Sequence, residues 1–97
     1  MNAELHHKVL FPMGNIVATP GALRLLDRAQ CSGLEYVLRH VMGDFGELCA
    51  EDLKANQDAI QQGLRVLSAY IVLPGEKIWV LTEADRSATT LLLPEEY

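Results

Sequence analysis

Arg65-Val66-Leu67-Ser68-Ala69-Tyr70-Ile71-Val72-Leu73-Pro74-Gly75-Glu76-Lys77-Ile78-Trp79-Val80-Leu81-Thr82 is the stretch that decides the fold. Here the apolar pattern leaves the helical period and becomes extended. Val66, Ser68, Tyr70 and Val72 alternate with Leu67, Ala69, Ile71 and Leu73, so both faces of the strand are largely apolar. Such a strand is expected to be covered on one side by helices and to lie centrally in its sheet. Pro74-Gly75 supplies the residues a type II turn prefers at its two middle positions, which predicts an antiparallel partner immediately afterwards. Lys77 to Thr82 is that partner.

In the partner strand Ile78, Val80 and Thr82 take one face, while Lys77, Trp79, Leu81 and Glu83 take the other. Trp79 offers the largest single apolar area. A polar turn from Glu83 to Ser87 follows, and Ala88 to Leu93 returns as a third strand that Pro94 ends, because proline cannot donate to a ladder. The result is a three-stranded antiparallel meander.

Upstream of the meander the period is helical. Thr19-Pro20 gives a capping hydroxyl followed by proline at the first helical position, and the helix runs to about Ala29 with Leu23 and Leu26 on one face. Ser32-Gly33-Leu34-Glu35 matches a capping box. Behind it Leu34, Val37, Leu38, Val41 and Met42 form a helical stripe, and Gly43 suits the residue that ends the helix. A third helix spans roughly Leu48 to Gln62, stopped by Gly63, with Cys49, Leu53, Asn56 and Ile60 sharing a face. Asn56 then points inward and needs a hydrogen-bond partner. Nearer the N-terminus, Val9-Leu10-Phe11 reads equally as an edge strand or as core cover. Gly14 to Ala18 is a further extended candidate. The fold class is therefore α+β: three helices followed by a three-stranded antiparallel meander, with an added N-terminal strand left open, in one domain over residues 1–97.

Composition narrows the function classes. At 97 residues the chain has room for one core. Its 49% hydrophobic and 22% charged residues argue against a disordered or fibrous protein. No uninterrupted apolar run approaches the roughly 18 residues a membrane span needs, the longest candidate, Val66 to Leu73, being broken by Ser68. The first residues, Met1 to Lys8, lack the pattern of a secretory signal, so a cytoplasmic protein is expected, with Cys31 and Cys49 as reduced thiols at helix boundaries. A net charge of -5 disfavours non-specific nucleic-acid binding.

The chemistry-bearing motifs are few. Asp44-Phe45-Gly46 repeats three letters of a kinase metal loop, but the chain is too short for a kinase and lacks the accompanying motifs. No Cys-x-x-Cys or His-x-x-x-His pair is present, adjacent His6 and His7 point opposite ways if extended, and neither a metal site nor a cofactor is expected. His40, beside the apolar stripe, is expected to be hydrogen-bonded or half-exposed. No catalytic residue is assigned. The one polar concentration is the second hairpin turn, with Thr82, Glu83, Asp85, Arg86, Ser87 and Thr89 inside eight positions. As a binding turn, Arg86 would take a phosphate or carboxylate while Asp85 or Glu83 orients it or acts as a base. As a structural turn, Asp85 and Ser87 would accept backbone amides and Arg86 would pair with Asp85, Glu83, Glu95 or Glu96.

Val17-Ala18-Thr19-Pro20-Gly21-Ala22-Leu23, Gly43-Asp44-Phe45-Gly46, Thr82-Glu83-Ala84-Asp85-Arg86-Ser87 and Leu92-Leu93-Pro94-Glu95-Glu96-Tyr97 together resemble a family of small bacterial proteins associated with plasmids and other mobile elements. The resemblance covers nearly the whole chain and is most specific at its C-terminal block. That family has no established activity, so the resemblance implies a genetic context and carries over no site residue.

Three functional readings follow. The first is a non-enzymatic accessory protein of a mobile element that binds another protein or self-associates through its sheet or helical face. The second is a small RNA-directed enzyme or toxin using Glu83, Asp85 and Arg86, a reading by fold-level analogy. The third is an acidic mimic of DNA built on Asp44, Glu47, Glu51, Asp52 and Asp58.

Overall fold

In the computed structural model, which describes residues 9–97, the elements run β1 (Asn15–Ala18), α1 (Pro20–Ala29), α2 (Gly33–Val41), α3 (Ala50–Gln62), β2 (Val66–Leu73), β3 (Glu76–Thr82) and β4 (Ala88–Leu92). A short 3-10 turn, Pro94–Glu96, follows. The readings made on Met1 to Lys8, His6 and His7 among them, lie outside the described residues. The class is α+β, and the meander forms in the expected order. β1 adds a fourth strand to it, parallel to β4, in the order β1-β4-β3-β2, so the sheet is mixed. Val9-Leu10-Phe11 adds no strand; Phe11 is buried and covers the core. No helix among the described residues is long and apolar enough to cross a membrane.

The helix starts follow local chemistry. The Thr19 hydroxyl accepts the Ala22 amide with Pro20 in the first turn. Ser32 accepts the Leu34 amide, but the return bond of the expected capping box is not made by Glu35 among the described residues. Gly63 ends α3 at φ 70°.

α2 turns a different face to the core than the apolar stripe predicts. Tyr36, Val37, His40 and Val41 are buried, while Leu34, Leu38 and Met42 are 49%, 40% and 37% exposed. With Gly33 they form a second stripe at i, i+3, i+4, i+7 and i+8, one residue out of phase with the leucine stripe and sharing Val37 and Val41 with it. The winning face carries Gly33, where an added Cβ would lie 2.7 Å from Leu91. It also carries Tyr36 and His40, which find partners inside. α1 is corrected in the same way, burying Ala22, Leu25 and Leu26 and leaving Leu23 56% exposed. On α3 the buried residues are Asn56 and Ala59, with Leu53 and Ile60 half-buried.

All three helices lie on one face of the sheet. Ala22, Leu25 and Leu26 of α1 and Tyr36 and Val37 of α2 pack with Tyr70, Ile78, Val80 and Leu91. Phe11, Val41, Phe45 and Ala59 pack with Val66 in a second cluster.

β2, expected to be central, is an edge strand. Its outer side is nonetheless paired. The Ala69 amide donates to the Phe45 carbonyl and the Glu47 amide to the Ala69 carbonyl, at 3.1 and 2.6 Å. Two residues along, the Asn56 side-chain amide donates to the Leu67 carbonyl at 2.7 Å and accepts the Leu67 amide at 3.1 Å. A loop and one carboxamide thus occupy the groups a further strand would take, which is how a strand with two apolar faces can sit at an edge. Gly46, at φ 73° with Ala69's carbonyl against its α-carbon, is what lets the loop approach.

Candidate functional site

The second hairpin turn lies where the sequence places it, but its polar residues do not converge. Thr82 and Thr89 are cross-strand partners and fully buried. The Glu83 amide donates to the Ala88 carbonyl and the Arg86 amide to the Glu83 carbonyl, closing the turn. Asp85 accepts the Ser87 amide at 2.9 Å, and the hydrogen bonds of Ser87, from side chain and backbone, hold its carboxyl below the usual carboxylate range. The Glu83 carboxylate lies 3.6 Å from Arg65.

Arg86 turns away from every acid named for it. In a left-handed conformation, φ 62°, it points back under the turn and donates to the carbonyls of Leu64 at 2.6 Å, Glu83 at 3.2 Å and Ala59 at 3.3 Å. Its guanidinium also sits 5.4 Å from the centre of the Phe11 ring. Ala59 belongs to the last turn of α3, where the helix dipole and unpaired carbonyls attract a cation. The expected pairing with Asp85, Glu83, Glu95 or Glu96 carboxylates is replaced by this anchorage. Glu96 instead accepts from Thr19 Oγ1 at 2.5 Å and from the amides of Gly21 and Leu93. Among the candidates, only Glu83, Asp85 and Ser87 remain at the surface, where Asp85 is held by Ser87 within the turn and Glu83 lies beside Arg65 instead.

Thr82 and Thr89 belong to an arrangement the sequence reading did not assemble. His40 Nδ1 lies 2.6 Å from Ser68 Oγ and its Nε2 2.9 Å from Thr82 Oγ1; Thr82 Oγ1 lies 2.7 Å from Thr89 Oγ1, which donates to the Met13 carbonyl at 2.7 Å. The carbonyl can only accept, so the direction of the chain is fixed from that end. The Thr89 proton goes to Met13, the Thr82 proton to Thr89, and the His40 Nε2 proton to Thr82, leaving Nδ1 to accept from Ser68. Each hydroxyl proton is spent once, and the imidazole is neutral. Burial first, and the Arg86 guanidinium second, push the His40 pKa down to about 4.

A serine hydroxyl donating to a histidine suggests a nucleophile and its base. Here Ser68, His40, Thr82 and Thr89 all have no exposed surface, and none of them lines the grooves beside α1, on α3 or beside Arg39. The network holds α2 against β2, β3 and β4. The signal in the sequence was weak: Ser68 sits between Val66 and Tyr70 on an inward row, and Thr82 and Thr89 flank one turn symmetrically.

Other chemistry is similarly occupied. A groove of about 290 Å³ between α1, the Pro74–Gly75 turn and the C-terminal turn is lined by Leu25, Ile71 and Leu93, but its Arg28 is held by Glu76 through two bonds of 2.6 and 3.1 Å. Among the described residues no three His, Cys, Asp or Glu side chains come together as a metal site, and Cys31 and Cys49 are free thiols.

The remaining feature is the sheet face opposite the helices. Leu67, Ala69 and Ile71 line it from β2, Lys77, Trp79 and Leu81 from β3, Thr90 and Leu92 from β4, and Val17 from β1, with Arg65 and Glu83 paired just beyond the strand ends. Ala69, Leu81 and Leu92 are buried here and Leu67, Trp79 and Thr90 half-buried, although none of them joins either helix-side cluster. Tyr97 lies on this face, its ring 5.5 Å from Trp79 and its hydroxyl accepting from Arg65 at 3.3 Å. Val17, Ile71 and Tyr97 are 49%, 52% and 66% exposed. The sequence reading set Leu67, Ala69 and Ile71 on one row and Lys77, Trp79, Leu81 and Glu83 on another, but gave no sign that no helix among the described residues would cover them.

The architecture therefore defines a two-layer α+β domain with helices on one sheet face and a mostly apolar second face, carrying Trp79 and Tyr97, that no helix among the described residues covers. No family model, curated protein or solved structure matches this chain.

Proposed function

We propose that this chain is a non-enzymatic interaction protein that works by protein binding or self-association through the open face of its sheet. The resemblance of its sequence to proteins of mobile elements suggests a bacterial accessory role as the setting. The observation that carries the reading is the position of Trp79 and Tyr97. They form an edge-to-face aromatic pair on a sheet layer that no helix among the described residues covers. Aromatic residues with an apolar body are what interface centres use most. Val17, Ile71 and Tyr97 are exposed on this face around a buried centre of Ala69, Leu81 and Leu92, and exposed apolar groups gathered on one face mark an interaction site.

The polar groups support the same reading. An RNA-directed enzyme would need Glu83, Asp85 and Arg86 to meet, and Arg86 is spent on three carbonyls instead. Tagged protein should capture a partner from host extract or self-associate in light scattering, and Trp79→Ser should lose whichever occurs while melting as a folded protein. A monomer that captures nothing above background would sink the proposal.

A further inference from the structure

We infer that the occupant of the open face is a second copy of this chain, packed face to face about a two-fold axis that crosses β3 at right angles between Trp79 and Leu81. This deepens the proposed function and rests on it. Residues 77, 79 and 81 of β3 share this face and Glu83 follows directly after the strand, giving a cation at one end and an anion at the other. Lys77 is exposed and forms no ion pair among the described residues. Glu83 has a carboxylate 41% exposed and only a loose, 3.6 Å partner in Arg65.

A two-fold axis across β3 runs the two copies of the strand antiparallel, as aligned sheet packing permits. Lys77 of each copy then meets Glu83 of the other, twice over. Trp79 of each copy then lies opposite Leu81 of the other, on either side of the axis. Arg65, beside Glu83, falls opposite Ile71 of the second copy, so Glu83 stands between Arg65 of its own chain and Lys77 of the other. A foreign partner would have to reproduce this spacing of opposite charges on either side of an aromatic ridge; the chain's own face already has it.

The footprint sets the strength. Strands about 4.8 Å apart and about 3.4 Å per residue give four strands of 4, 8, 7 and 5 residues roughly 390 Å² before side-chain relief is counted. A standard stable interface buries about 800 Å² per partner, so this dimer is weak and reversible, forming in the micromolar range or above.

Sedimentation equilibrium from micromolar to millimolar protein tests it through charge reversal. The wild-type mass should rise toward twice the monomer. K77E and E83K should each dissociate at least about tenfold more readily, since each puts like charges together twice. An equimolar mixture of the two variants should recover the dimer, because each chain then supplies the charge the other lacks. Thermal melts confirm folding, and K77E, far from Arg65 and solvent-exposed, is the arm that carries the test if E83K is perturbed. A monomer at every concentration, wild-type association by K77E, or a mixture no better than its components would overturn the inference. A monomeric wild type that still captures a different protein in a Trp79-dependent way overturns the dimer and leaves the proposed function standing; a monomer that captures nothing overturns both.

Discussion

Arg86 shows how one residue can look like a ligand in sequence and act as a tether in three dimensions. Its backbone is in the left-handed region, a conformation that costs a non-glycine residue on the order of 1 kcal/mol. What holds it there is the row of carbonyls of Ala59, Leu64 and Glu83, joining the hairpin turn to the end of α3. Arg86→Ala should therefore lower stability by about 1.5–3 kcal/mol, the usual range for hydrogen bonds to a charged group, as read by urea unfolding. Arg86→Gly should lose less, by roughly the backbone preference of glycine, about 0.5–1 kcal/mol. If the two variants lose the same amount, the left-handed backbone plays no part. Removing the guanidinium also removes a charge that depresses His40, so the His40 pKa should rise in Arg86→Ala when followed by NMR. A merely cosmetic surface arginine would leave that titration unmoved.

At the scale of elements, the guarded edge of β2 makes the sharpest prediction. Asn56 satisfies both the amide and the carbonyl of Leu67, so Asn56→Ala strands two backbone groups and should cost about 1–3 kcal/mol in chemical denaturation. Asn56→Asp keeps the acceptor and loses the donor, and should fall between Asn56→Ala and the wild type. α2 gives the contrasting case: Leu38→Glu should change stability by no more than about 0.5 kcal/mol, whereas Val37→Ala should cost on the order of 2 kcal/mol. Equal losses at the two positions would mean that α2 presents its leucine stripe to the core after all. These elements also mark what sequence could and could not reveal. Turns and helix starts at Thr19, Ser32, Gly63 and Pro74–Gly75 were legible because each depends on local backbone chemistry. The inward Asn56 was legible from helical spacing. The rotation of α2 was not, because two overlapping stripes share Val37 and Val41, and the choice between them depended on partners for Tyr36 and His40 far away in the chain. The same is true of β2: its doubly apolar pattern implied a central strand, but a loop and a carboxamide stand where another strand would. The candidate turn was legible in position alone, since the carbonyls that capture Arg86 come from a helix end and a linker.

For the whole molecule, acid is the condition that sets these parts against each other. His40 has a folded pKa of about 4 against an ordinary value near 6.5, so as pH falls below about 6.5 the unfolded chain takes up the proton first. Stability is thus fully present above that value and falls as pH drops toward 4, by at most about 3 kcal/mol at 1.36 kcal/mol per unit. No carboxylate hydrogen-bonds the imidazole; its polar neighbours are the Ser68 and Thr82 hydroxyls, and the nearby Arg86 charge works in the same direction as burial. Lower down, Asp44, Glu76, Asp85 and Glu96 all have carboxyls held below their usual range, chiefly by hydrogen bonds from Arg39, Arg28, Ser87 and Thr19. Their contribution is present above the usual carboxylate range and is lost only as pH falls through the depressed values. The two groups act in sequence: the urea midpoint should first slide between pH 6.5 and 4 as charging His40 opposes its buried network, then fall again as the surface carboxylates protonate. His40→Gln, which cannot take up a proton, should be less stable at neutral pH yet nearly flat through the first window while keeping the second. A variant profile that still declines between pH 6.5 and 4 would show that the imidazole is not the group being titrated.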